Sequence, residues 1–358
     1  MITRVGGNLS RLVRFTDLTA RELESWQSLR IGNPKLDSPY FHPGFAEAVS
    51  RTGPDVQIAV TENLEGHVIS LLPCQRYRDI LRPVGWPGAD FQGPILASGG
   101  RFEPLAILKG GVREYAFDHL LEACPDFEPW VETRRPSPYL DVSGGLSGYI
   151  GRASRSGKDN MGQARRRAKK AEEKYGTLRW TAQSTDATLL DRVIQLKRAQ
   201  YAATGAKDYF ADSGRRELLR ILLGSTEPAF GGLLSAVFAG PHLIAAHFGL
   251  RAGHVLHWWF PVYDSPFAQF SPGWILLREL VISSPALGIS RIDLGRGEDE
   301  YKRRAKTGEF MVSQGTVVRG KGRHILRHAQ SSAVRVLKSS ALAPKLVKIV
   351  HAARARSR

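Results

Sequence analysis

The sequence predicts an α+β protein with two domains, each a mostly antiparallel twisted sheet flanked by helices, followed by a basic helical tail. The chain has 358 residues, of which 42% are hydrophobic, and this length usually means more than one domain. The two halves present strand-like runs and helices in a similar order, although no residue-level repeat is visible. We place the domains at 1–150 and 151–323, and the tail at 324–358.

The tail carries most of the net charge of +17. Residues 319–358 contain 11 Lys or Arg and no acidic residue, which leaves 40 basic against 34 acidic residues for 1–318. Apolar residues alternate with these basic ones, so the segment predicts amphipathic helices that contact an anionic membrane surface. Docking on the protein or fraying are the alternatives. Because the charge is concentrated in the tail, we do not expect a nucleic-acid partner.

Cysteine usage and hydropathy limit the class of protein further. Cys74 and Cys124 have no close spacing and no nearby His pair, so we expect neither a metal site nor a disulfide framework. The N-terminus has no apolar run of signal-peptide length. A helix that crosses a bilayer needs about 18 to 20 consecutive apolar residues, and no segment approaches this length. We therefore expect a cytoplasmic protein that is at most peripheral at the inner face of the cytoplasmic membrane.

The N-terminal half begins with a helix near 20–29, which Thr19 can cap while Glu22 completes a capping box. The stretch 81–96 is rich in Pro and Gly, so it predicts an irregular loop with Asp90 and Phe91 at a surface. Strands are expected at 56–60, 67–77 and 136–142.

The C-terminal half predicts an antiparallel meander with one crossover. Its helices are expected at 158–175, at 186–203 with Thr185 or Asp186 as cap, and directly after the SPG turn at Gly273. Its strands are expected in TLRWTAQ, GLLSAVFAG, HLIAAHFGLRAG, HVLHWWFPVYD and SRIDLGRG.

The SPG turn has a physical use. A helix start carries partial positive charge and unpaired N–H groups, so a small-residue turn at Ser271, Pro272 and Gly273 makes a cradle for a pyrophosphate. Pro261 lies in the preceding strand and has no N–H for a ladder, which predicts an edge, a bulge or a splayed pair. Together these features can hold an acyl-coenzyme A through backbone alone. The alternative is an ordinary helix start with Pro272 in its first turn, and an ordinary edge strand.

The runs WWFPVYD, QFSPGWILLREL, GISRIDLGRGEDEYKRRA and GQARRRAKKAEEKYG resemble the CelD-like (cellulose-biosynthesis) acetyltransferases of the GNAT superfamily, which are related to Fem-type ligases. The resemblance covers 158–310, and the N-terminal half is similar in layout. It implies two tandem GNAT-like domains, with acetyl-CoA as acyl donor in the second. In the phosphate loop, Gln269 is followed by Phe270, Ser271, Pro272, Gly273 and Trp274, so the second small position of the family pattern is missing.

Acyl transfer to an amine or hydroxyl needs a base, oxyanion donors and an acid for the leaving thiolate. Backbone N–H groups near 261–263 are the candidate oxyanion donors. His247 is the candidate base, with a buried structural histidine as the alternative. Asp293 points away from the apolar face of its strand, and either takes part in catalysis or forms a salt bridge, with Arg296, Lys302 or Tyr301 as partner.

The polar segment 295–304 follows the last predicted strand, where an acceptor should enter. Tyr301 is the candidate acid for the thiolate, as a tyrosine is in many proteins of the superfamily. We expect Arg296, Glu298 and Lys302 to bind the acceptor, with a solvated loop as the alternative.

Arg165 and Arg166 lie in a basic helical run and are candidates for recognising a phosphorylated or acidic sugar carrier, with a solvated helix face as the alternative.

These observations favour an acyl-CoA-dependent N- or O-acyltransferase, with acetyl as the expected group. Its acceptor would be a sugar or amino group, for example on a lipid-linked glycan, in bacterial exopolysaccharide or cell-envelope biosynthesis. Two other functions stay open. One is a Fem-like aminoacyl transferase, and the other is a non-catalytic or regulated member that binds an anionic ligand such as a nucleotide second messenger.

Overall fold

The computed structural model describes residues 3–5, 8–297 and 299–320. Fourteen strands form one sheet, in the order β1-β2-β3-β4-β5-β7-β14-β8-β13-β12-β11-β10-β9, with β6 paired to β4. The strands are β1 (Thr3–Val5), β2 (Asn8–Arg14), β3 (Val56–Glu62), β4 (Val68–Tyr77), β5 (Ile80–Pro83), β6 (Ile95–Leu96), β7 (Glu114–Leu121), β8 (Val131–Asp141), β9 (Leu178–Ser184), β10 (Phe230–Ala239), β11 (His242–Ala252), β12 (Val255–Tyr263), β13 (Arg291–Asp293) and β14 (Gly308–Val318).

Helices cover both faces of this sheet. They are α1 (Ala20–Ile31), α2 (Pro43–Ser50), α3 (Gly145–Arg152), α4 (Arg155–Tyr175), α5 (Ala187–Thr204), α6 (Ser213–Leu223), α7 (Pro272–Ser283) and α8 (Glu300–Ala305). The capping box of Thr19 and Glu22 begins α1, and the side chain of Asp186 caps α5, as the sequence predicts.

Two hydrophobic cores lie on opposite faces of the C-terminal part of the sheet. Buried side chains of α1, α2, α5 and α6 share one core, which joins the two halves of the chain. Side chains of α3, α4 and α7 form the core on the other face. The α+β fold class that the sequence predicts is confirmed. Among the described residues, no helix has the length and apolar character needed to cross a membrane.

Strand β14 was not anticipated from the sequence. It lies between β7 and β8, and it pairs antiparallel with both of them. Its partners precede it by more than 160 residues, so no local pattern shows where the strand fits. The boundary near residue 150 falls within α3 and stays a prediction, and the tail at 324–358 lies outside the described residues.

The loop at 81–96 differs from the expectation. Phe91 is buried, and its ring meets that of Phe310 edge to face. The side chain of Asp90 is only 18% exposed. The prediction of a surface position is wrong for Phe91 because this loop packs between the two halves of the chain.

An ion-pair brace joins those halves. Arg291 of β13 donates two hydrogen bonds of 2.6 Å to the carboxylate of Asp37, and its Nε lies 2.9 Å from Oδ1 of Asp293. Burial lowers the pKa of Arg291, but the two carboxylates outweigh it and raise that pKa above its ordinary value. The brace therefore holds the segment before α2 against the strand that precedes the polar loop 295–299.

Replacing Asp37 with Ala should lower the free energy of unfolding by about 2 to 3 kcal/mol, because Arg291 is only 16% exposed and would lose its bidentate partner. Asp79→Ala is the matched control, since its partner Arg113 is 70% exposed and the expected loss is below about 1 kcal/mol. Urea unfolding of the full chain measures both. Equal losses in the two variants would show that the brace adds nothing to stability.

Candidate active site

The central feature of the site is the point where β12 and β13 part. The two strands pair in parallel only from Val255 to His257, opposite Arg291 to Asp293, while β12 continues to Tyr263. On its other edge β12 contains a bulge, since Leu250 faces His257 but Phe248 faces Phe260. A groove therefore opens beside the second half of β12.

Backbone N–H and C=O groups of β12 face this groove without a strand partner. The N–H of Asp264 donates to the carbonyl oxygen of Ile244 in β11, 3.1 Å away. Because backbone groups alternate between the two edges of a strand, the N–H of Tyr263 and the carbonyl of Pro261 face the opposite edge. The Nζ of Lys197 donates to that carbonyl at 3.0 Å. Pro261 thus lacks its N–H at an edge where β12 has parted from β13, which is one of the three positions, an edge, a bulge or a splayed pair, that the sequence predicts.

The groove has a volume of 520 Å³ and reaches the start of α7. Ser271, Pro272 and Gly273 all line it. Ser271 adopts the left-handed conformation (φ 48°, ψ 56°) that turns the chain into the helix. A Cβ placed on Gly273 would meet no atom within 4 Å, so the backbone of the first turn is open to a ligand. Gln269 lies exposed on the preceding turn and is not among the residues that line the groove.

Arg167 adds a full positive charge at this helix start. It lies on α4 and donates a hydrogen bond from Nη1 to the hydroxyl of Ser271. Arg165 and Arg166 are exposed on the same helix. The helical period distinguishes Arg167 from Arg165 and Arg166. Ala164 is buried, and Arg167, three positions later, lies on the same side of the helix. Helix dipole and guanidinium together make this end of the groove suited to a phosphate.

Side chains of α8 close the other end of the groove. Tyr301 and Asp299 line it, and burial raises the pKa of Tyr301 above its ordinary value. The Nζ of Lys302 donates to the carbonyl oxygens of Gly295 and Arg296, at 3.2 and 3.0 Å. Arg296 donates to the carbonyl of Asp118 in β7. Lys302 and Arg296 therefore anchor the loop itself, and Glu298 lies outside the described residues.

His247 is fully buried in β11, directly opposite Pro261. The ring of Trp258, which lines the groove, stacks on the imidazole with 4.0 Å between centroids. Burial holds the pKa of His247 well below its ordinary value, so the ring is neutral. Its catalytic role stays a prediction.

Asp293 is fully buried, and its partner is Arg291. The expectation that Arg296, Lys302 or Tyr301 would pair with it is wrong. Residues two apart on a strand share a face, so the strand period places Arg291 beside Asp293. Burial raises the pKa of Asp293 to about 6, against the lowering effect of Arg291.

A second polar cluster, which no sequence pattern indicates, lies on the α5 face of the sheet. The carboxylate of Asp90 lies 3.1 Å from Nε2 of His119 and 3.3 Å from Nε2 of His257. Gly295 passes so close that a Cβ there would lie 2.2 Å from Asp90 Oδ2. These residues come from a loop, β7 and β12, so only the folded chain brings them together.

The pKa values of His257 and His119 shift in opposite directions. Burial lowers the pKa of His257 to about 4, although Asp90 opposes this. Burial also acts on His119, but Asp90 and Asp118 outweigh it and raise the pKa of His119. Burial opposes the ionisation of Asp90, yet the two histidines hold its pKa below the ordinary range. Asp90 and Asp118 therefore favour the protonated form of His119, whereas burial favours the neutral form of His257. Among the described residues, no group of side chains could hold a metal ion.

Comparisons with known proteins agree with this geometry. Residues 158–303 match the family described as Acetyltransferase (GNAT) domain. The chain is similar in structure to FemX, with a TM-score of 0.60 and 8% identity over 89% of this chain and 100% of that one. It is also similar to a tandem GNAT protein from the clavulanic acid biosynthesis pathway, with a TM-score of 0.53 and 12% identity over 87% and 99%.

A third similar structure is the C-terminal domain (DUF2156) of an Agrobacterium fabrum protein described as a lysylphosphatidylglycerol synthetase. Its TM-score is 0.53 at 10% identity, over 88% of this chain and 97% of that one. No curated protein matches the chain by sequence. Identities this low show the fold alone. The fold is therefore GNAT-like, and the groove between β12 and α7 lies within the segment that matches a GNAT acetyltransferase domain.

Proposed function

We propose that this chain is an acyl-CoA-dependent N- or O-acyltransferase, with acetyl-CoA as its donor. The observation that carries the proposal is the groove where β12 has lost its partner, ending at a helix start that also holds Arg167. An extended amide-containing chain can bond to a free strand edge, and a pyrophosphate can bond to the N–H groups of a helix start. Coenzyme A contains both groups in this order.

The described residues provide for each part of the donor. The N–H of Gly273, in the first turn of α7, and the guanidinium of Arg167 would bind the pyrophosphate. The N–H of Tyr263 faces the groove and would donate to the thioester oxygen as negative charge develops there. Tyr301 lines the groove, and its raised pKa keeps the phenol protonated, so it can donate a proton to the leaving thiolate.

We further propose a sugar or lipid-linked glycan as acceptor, in exopolysaccharide or cell-envelope biosynthesis, which the resemblance to CelD-like acetyltransferases supports. Arg165 and Arg166 are exposed beside the proposed donor site and are free to meet an acidic group of a carrier. Lys302 is held by backbone carbonyls, so its charge would act on an acceptor from a distance. Contact of 324–358 with an anionic membrane stays a prediction.

The open groove favours a catalytic protein over a regulatory one. A non-catalytic member that binds a nucleotide through its arginines does not need a continuous space from Tyr263 to Gly273, yet this space is present. Aminoacyl transfer remains the second candidate, because FemX shares the fold over the full length of that chain. Binding of acetyl-CoA by the full chain distinguishes the two candidates.

Gly273→Trp should weaken acetyl-CoA binding by at least about tenfold, because the indole would fill the space in front of the helix start and displace the phosphates. Gly151→Trp is the control, since that glycine also has open space around it but lies on α3. Calorimetry measures both affinities, and melting curves check the folds. If the Gly273 variant folds and binds acetyl-CoA as tightly as the parent, the donor site lies elsewhere.

Tyr301→Phe should lower turnover by about 10²- to 10⁴-fold with little change in acetyl-CoA affinity, since only the proton donor is removed. Release of free coenzyme A thiol follows the reaction. Tyr77→Phe, on β4 and not among the residues that line the groove, controls for the loss of a tyrosine hydroxyl. Unchanged turnover in the Tyr301 variant would assign the acid role to another group or to water.

A further inference from the structure

Lys197 reaches the groove from the face of the sheet opposite α7. Its helix, α5, packs in the core shared with α1, α2 and α6, whereas α7 packs in the other core. The Nζ donates to the carbonyl of Pro261 at 3.0 Å, two residues before Tyr263, whose N–H is the proposed oxyanion donor. Donor and Lys197 would therefore meet at the splayed edge of β12 from opposite sides.

We propose that Lys197 is the catalytic base that accepts the proton of the attacking acceptor. This inference rests on the proposed acyltransferase function and identifies a residue that the sequence analysis did not single out. The bond to Pro261 fixes the amine at the groove wall. The lone pair of the neutral amine is then free to face an acceptor beside the thioester.

The surroundings of Lys197 favour its neutral form. Burial, and then the positive charge of Lys302, lower its pKa to about 8. At pH 7 about a tenth of the molecules would carry the neutral amine, and the fraction rises as the pH passes 8.

The other groups around the groove do not restore the ordinary pKa of Lys197. Asp299, Tyr301 of α8 and Tyr263 of β12 line the same space, and Asp299 is 64% exposed and paired with Lys302. The ring of Tyr201 lies 5.6 Å from Nζ on the same helix. His247, behind Trp258, is neutral. Asp293 and His257 are engaged by Arg291 and Asp90, which leaves Lys197 as the base at the groove wall.

Proton transfer to Lys197 accompanies attack on the thioester. The acceptor nitrogen or oxygen forms a bond to the thioester carbon, and its proton passes to Nζ of neutral Lys197. The C–S bond then breaks, and the thiolate takes the proton of the Tyr301 hydroxyl. Lys197 gives its proton to solvent and Tyr301 regains one, so that both side chains return to their starting states.

The test compares Lys197→Arg and Lys197→Met with the parent, in the full chain. Thiol release from acetyl-CoA is measured from pH 6 to 10, with water and with a set of amino sugars and primary amines as acceptors. The parent kcat/KM should rise with pH and level off near 8, and both variants should lose about 10²- to 10⁴-fold. Lys207→Met, an exposed position after α5, should match the parent.

The arginine variant separates a base from a charge. It can keep the positive charge and the bond to Pro261 but cannot act as a base near neutral pH. Acetyl-CoA affinity should stay unchanged in it. Parent-like activity in Lys197→Arg would overturn the proposal while leaving the acyltransferase function intact.

A second readout does not depend on turnover. NMR of the reductively ¹³C-methylated protein with acetyl-CoA bound should show the Lys197 amine titrating near pH 8. A midpoint at the ordinary lysine value would overturn the base role. Acetyl-CoA binding without thiol release from the parent, with every acceptor including water, would overturn both the proposed function and this inference.

Discussion

Beyond His257, β12 runs on without β13 beside it, and the site depends on this parting of two strands. A strand edge inside a protein normally pairs, because unpaired N–H and C=O groups are costly when buried. Here the side chain of Lys197 bonds to the Pro261 carbonyl at this edge. Pro261 reduces the free-energy cost of the open edge, because proline has no backbone N–H that would be left without a partner.

The elements that border the groove determine its polarity. One end carries positive charge, and the wall along the groove is less polar. The start of α7 and Arg167 supply charge where a pyrophosphate would lie. Trp258, Pro261 and Leu277 supply apolar surface along the groove. On the opposite face, Lys302 lies near Asp90, His257 and Lys197 and acts on the pKa of each. In the proposed mechanism, the donor phosphates at α7 and the base Lys197 of α5 would thus lie on opposite faces of one sheet.

Local signals predicted the parts of the site that one segment forms. The SPG turn, the helix after it and the role of Pro261 could be predicted because each depends on residues within a few positions. The capping box at Thr19 belongs to the same class. The two-residue period of a strand also indicates that Arg291 and Asp293 share a face, although the predicted partners of Asp293 were other residues.

The remaining features depend on contacts between distant segments. Strand β14 has partners in β7 and β8, and Asp37 meets Arg291 across 254 positions. The cluster of Asp90, His119 and His257 is assembled only when the N-terminal half packs on β12. One sequence carries no periodic pattern for such pairings, and this is why the turn before α7 could be predicted from the sequence while these contacts could not.

A crystal structure of the full chain with acetyl-CoA is the decisive experiment. We expect a pyrophosphate within hydrogen-bonding distance of the Gly273 N–H and the Arg167 guanidinium, and a thioester oxygen at the Tyr263 N–H. Lys197 would lie on the acceptor side of the thioester carbon. A donor bound instead in the cavity between Pro34–Ser38 and Glu309–Met311, with the groove at β12 empty, would contradict this expectation.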